Sequence, residues 1–135
     1  LRIGMSLAKG LAVSEKVPII PVPTLEVMNR EISREGVYWI LLHSHKDVVF
    51  AQRFNSGSPD SQIECKVYNA ERYIYPVGFN LDSVCKPTEY EPAPPSSKYV
   101  GELAIQYFDK WAQSNLNTIT PNYVTNYNLR NIAAH

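Results

Sequence analysis

The sequence predicts an α/β or α+β domain built on a mixed sheet. Three observations lead there. Apolar residues at helical spacing open the chain, a continuous apolar run at residues 37–42 precedes a returning β-branched run, and a second patterned helix follows a proline-rich connector. Strands interleaved with helices in this way favour layers of helix on sheet.

The first predicted helix covers residues 1–13, LRIGMSLAKGLAV. Ile3, Leu7 and Leu11 share one stripe, and Gly4, Ala8 and Ala12 form a second at four-residue spacing, with Arg2, Ser6 and Lys9 on the polar side. Small residues so spaced admit another helix closely, although Gly inside a helix costs about 1 kcal/mol relative to Ala. An ordinary core helix would account for the same pattern.

Residues 17–23, VPIIPVP, have the β-branched content of a short strand, confined by their prolines to an edge. Thr24 reads as the N-cap of a helix from Leu25 to about Ser33, with Leu25, Met28 and Ile32 inward and Gly36 as the stop signal. VYWILL, residues 37–42, reads as a strand buried on both faces. HSHKD is the expected turn, and VVFAQRF, residues 48–54, returns as the second strand of a hairpin. IECKVY and YIYPVGF supply two further strands after the loop NSGSPDS. Residues 86–97 form a polar, proline-rich connector. Ser96 or Ser97 then caps a long helix reaching about Ala112, whose apolar face comprises Val100, Leu103, Ala104, Tyr107, Phe108 and Trp111. The polar tail from residue 120 is expected to be extended.

Composition narrows the function classes. At 135 residues the chain has single-domain length, and thirteen basic residues balance thirteen acidic ones. A free-standing nucleic-acid binder usually carries a basic excess, and none is visible. Cys65 and Cys85 lie far apart and outside any Cys-x-x-Cys pattern, which argues against a disulfide framework or a zinc site and fits a reducing compartment. No apolar run is long enough to span a bilayer, and no signal-peptide pattern occurs, so the chain reads as a soluble cytoplasmic protein.

Few residues invite chemistry. His43 and His45 alternate along a strand and could share a metal with Asp47 as a third ligand, as in a metal-dependent hydrolase; the plainer reading is a polar turn with two exposed histidines. The sequence has no phosphate-cradling glycine loop, no G-x-S-x-G elbow and no H-x-x-x-H pair. Glu64, Glu71, Asp82, Glu89 and Glu91 are scattered acids that read as solvated charges. Tyr38, Tyr68, Tyr73 and Tyr75 could stack bases on a sheet, but tyrosine is favoured in strands anyway, and ordinary packing accounts for them better.

Two adjoining motifs carry a resemblance. Arg2, Ile3, Gly4, Ala8, Gly10, Leu11 and Ala12 match a helix of pattern R-I-G-x-x-x-A-x-G-L-A, and Thr24-Leu25-Glu26 matches an S/T-L-E segment after the following strand. Together they resemble the TsaB (YeaZ) family of tRNA threonylcarbamoyladenosine biosynthesis, whose members are also described as M22-type glycoproteases. Farther on, KDVVFAQRF occupies the place of that family's hairpin strand, YIYPVGFN resembles its V-x-G-x-G segment, and Pro121, Tyr123 and Val124 resemble its C-terminal P-x-Y-L-R motif. Two departures stand out. The family's Asp-Ala-Arg falls on Leu42-His43-Ser44, and the last Arg of P-x-Y-L-R falls on Thr125.

The resemblance implies an incomplete actin-like ATPase (ribonuclease H-like) fold. Residues 1–13 would be the helix completing a first lobe that the chain otherwise lacks, and residues 14–135 would be the second lobe, a mixed sheet flanked by helices. It also implies a non-catalytic subunit that binds and stabilises TsaD, and through TsaD meets the ATPase TsaE and tRNA, in forming N6-threonylcarbamoyladenosine at position 37. The expected interface is Arg2, Ile3, Gly4, Leu7, Ala8, Leu11 and Ala12, with self-pairing through the same helix as the alternative use. No cofactor is expected within this chain, while a nucleotide at the partner interface stays open. A peptidase label would rest on similarity alone.

Overall fold

The apolar run of the predicted hairpin becomes the centre of the sheet. The computed structural model describes residues 2–121. The chain runs through α1 (Arg2–Glu15), α2 (Thr24–Asn29), β1 (Val37–His45), β2 (Val48–Asn55), β3 (Ser58–Pro59), β4 (Glu64–Val67), β5 (Val77–Phe79), β6 (Glu91–Pro92), α3 (Ser97–Gln106) and α4 (Phe108–Trp111). Short 3-10 turns lie at Pro87–Glu89 and Leu116–Thr118.

The strand order is β3-β2-β1-β5-β6, with β4 also paired to β2. β1 and β2 are antiparallel from Val37↔Asn55 to His45↔Val48, whereas β1–β5 and β5–β6 are parallel. The predicted mixed sheet is therefore present, with β1 between an antiparallel and a parallel neighbour.

Alternation along β1 then builds two cores. Tyr38 and Ile40 join Phe54, Val77 and Ala93 on one face, where Leu25 and Met28 of α2 cover them. On the other face Leu41 joins Val49, Ala51, Tyr73, Leu81 and Tyr90, so the segments after β4 provide the cover there. Ile40 and Leu41 are both fully buried, as a run without polar alternation requires. Where β5 crosses beneath this second cover, Gly78 permits a close approach. A Cβ at that position would strike the Leu81 side chain and lie 3.2 Å from the Leu41 carbonyl oxygen.

Several expected boundaries move, each for a local reason. Residues 17–23 form no strand; Ile19 alone makes a two-bond bridge with Gln113, at 3.0 and 2.8 Å, because Pro18, Pro21 and Pro23 lack donors. Thr24 is the first residue of α2 rather than its cap, and the cap position falls to Pro23, whose carbonyl accepts from the Val27 amide. The helix stops at Asn29 rather than Ser33. The Asn29 side chain accepts from the Tyr38 hydroxyl at 2.6 Å and donates to the Gly57 carbonyl at 2.8 Å, and the chain beyond tightens into a turn at Ile32.

β1 continues through His43 and Ser44 to His45, so the hairpin turn shrinks to Lys46-Asp47, with Lys46 at φ 49°. YIYPVGF yields only the three residues of β5, since Tyr75 at φ 39° and Pro76 break the extended path. The proline-rich connector contributes β6, whose Pro92 sits on the sheet edge where a missing donor costs nothing. The long helix breaks at Tyr107, φ −111° and ψ 22°, and of its expected apolar face only Leu103 is buried. Tyr107 and Trp111 stack on each other across the break, with ring centroids 4.4 Å apart. The resemblance at Tyr123, Val124 and Thr125, together with the extended tail beyond them, lies outside the described residues.

Candidate functional site: the outer face of the first helix

α1 forms where the 3.6-residue periodicity places it, and its C-terminus closes in a defined way. Lys16 takes the left-handed conformation at φ 54°; its amide donates to the Val13 carbonyl at 3.3 Å, and the Val17 amide donates to the Ala12 carbonyl at 3.1 Å. This is the Schellman pattern, with lysine in the position that glycine usually fills.

The two predicted stripes are divided by the fold. On a 100° helical wheel, Ile3, Gly4, Leu7, Ala8 and Leu11 share one arc, and all five are exposed. Ile3 is 87% exposed, Leu7 65% and Leu11 59%, whereas Ala12 is buried at 5% and shares the inner side with half-buried Met5 and Lys9. Ala12 is therefore a packing residue, which corrects its place in the expected interface. The Arg2 side chain lies outside the described residues. A Cβ added to Gly4 would meet nothing within 4 Å, so the fold itself makes no use of its small size. The surface is a continuous apolar strip with a shallow side, the shape that accepts the ridge of another helix.

The histidine cluster is not assembled for metal. The pairing register shifts between His43 and His45, interrupting the alternation that would have aimed them together. His43 Nε2 instead meets the Lys46 carbonyl at 2.9 Å, and His45 Nδ1 meets the Ser44 hydroxyl at 3.0 Å. Among the described residues no group of three or more His, Cys, Asp or Glu side chains is placed to hold a metal ion.

Cys85, Tyr38, Tyr68 and Tyr73 pack into the two cores, whereas Tyr75 is 50% exposed. Cys65 pairs opposite Phe50 on the α2-covered face, and Cys85 packs with the other cluster, so the sheet separates them. Burial pushes both thiols up, away from nucleophilic thiolate character. Tyr38 and Tyr73 are buried at 3% and 1% exposure, which removes them as stacking surfaces for bases.

One constellation was not legible in the sequence. Glu64, expected to be a solvated charge, accepts from the Tyr73 hydroxyl at 2.9 Å and pairs with Arg72 at 2.8 Å and Lys66 at 3.1 Å. Burial pushes its carboxyl up, but the Tyr73 hydroxyl, Lys66 and Arg72 outweigh that and hold it below its usual range. The same hydrogen bond, added to burial, pushes the Tyr73 phenol up to about 12. Arg72 also lies over the Trp39 ring at 5.1 Å. Every group in this cluster has a partner within the chain, so it braces the sheet cover rather than offering a free acid or base.

No protein-family model matches this chain, and no curated protein matches it. Among solved structures, it is similar to the crystal structure of an uncharacterized protein from Pseudomonas aeruginosa with similarity to peptidase YeaZ. The TM-score is 0.60 at 14% identity, over 92% of this chain and 67% of the other. No helix among the described residues is long and apolar enough to cross a membrane. At that identity the likeness shows the fold, and the fold of this chain is YeaZ-like.

Proposed function

We propose that this chain is a TsaB-like, non-catalytic subunit that docks a TsaD-like catalytic partner through the outer face of α1, in forming threonylcarbamoyladenosine on tRNA in the cytoplasm. The observation that carries this reading is the exposed arc of Ile3, Gly4, Leu7, Ala8 and Leu11. An apolar strip of this kind marks an interaction surface. The match of Ile3, Gly4, Ala8 and Leu11 to R-I-G-x-x-x-A-x-G-L-A and the YeaZ-like fold support the choice of partner. On this reading α1 belongs to an actin-like first lobe, the mixed sheet with its helices forms the second, and TsaE and tRNA are reached through the partner. The chain contributes no peptidase chemistry of its own.

The test is calorimetric titration of the protein carrying this chain against TsaD. Gly4→Leu combined with Ala8→Leu should weaken binding about 30-fold or more, the loss expected when a central contact is obstructed. A Cβ at Gly4 meets nothing within 4 Å and Ala8 is exposed, so the double variant is expected to keep its fold, which a thermal melt checks. Unchanged affinity in the folded variant would overturn the proposal.

A further inference from the structure

We draw no further inference here: the strongest candidate, the outward stripe of Gly101, Ile105 and Phe108 running from α3 into α4, is an unpartnered apolar face, and nothing in the structure shows what covers it.

Discussion

α1 and α2 are both helices with an apolar side, yet the fold treats them in opposite ways. The six residues of α2 place Leu25, Val27 and Met28 at 1–2% exposure, while the fourteen residues of α1 bury Ala12 alone among their apolar side chains. Length and patterning do not separate them; the sheet does. α2 lies against Tyr38, Ile40 and Phe54, so its short stretch of helix is stabilised by packing. α1 meets no comparable surface and holds itself through propensity and its closing motif. An amphipathic pattern records which side of a helix is apolar, and only the tertiary neighbours decide whether the same chain covers it.

The largest test of this contrast is a matched pair of truncations. Met28→Ala should cost about 2–5 kcal/mol in urea unfolding, the range for emptying a packed site. Leu7→Ala should stay within about 0.5 kcal/mol, because its side chain already meets water. A loss at Leu7 equal to that at Met28 would show that α1 is covered in the free protein.

α1 and the sheet also differ in what their glycines do. Gly78→Ala should destabilise by about 1–3 kcal/mol, since Leu81 is fully buried and cannot withdraw freely. Gly4→Ala should instead stabilise by up to about 1 kcal/mol, from helix propensity in open space. Chemical denaturation of both variants reads the opposite signs directly.

A smaller effect tests how α1 ends. Lys16→Gly should raise stability by up to about 1 kcal/mol, because a residue with a Cβ is strained at φ 54° and glycine is not. The gain should appear in the helical circular-dichroism signal on heating, with the sheet cores unaltered.

The smallest expected effect concerns acid. Glu64 has a lowered pKa when folded, so the unfolded chain binds its proton more readily. Its contribution to stability is therefore present above the unfolded carboxylate pKa and is lost as pH falls through the lower folded value. Glu64→Gln should flatten the acid limb of a stability–pH profile; an unchanged slope below about pH 4.5 would deny Glu64 that role.

Legibility in the sequence followed the range of the interactions. VYWILL could be read as a doubly buried strand because both faces left their mark within six residues. The pairing of Glu91 and Pro92 with Val77 and Gly78 left no local trace, since a Glu-Pro pair looks like connector until a partner strand supplies the bonds. Glu64 was opaque for the same reason: Tyr73 and Arg72 reach it only across the folded sheet cover. In α1 the stripes were legible, but Gly4 and Ala8 could not be distinguished from Ala12. Their spacing is identical, and only the folded body separates the outer pair from the inner one.

The bridge between Ile19 and Gln113 bears on the order in which the molecule assembles. It joins the segment after α1 to the segment after α4, so it closes a loop containing the entire sheet. Contacts this distant form only after their loop-closure entropy has been offset, whereas the β1–β2 hairpin is local in sequence. The hairpin is thus the natural early structure, and the clasp that fixes the exit of α1 comes late. The direction in which α1 leaves the body thus rests on a contact of long sequence separation, whereas the central strand pair needs only a two-residue turn.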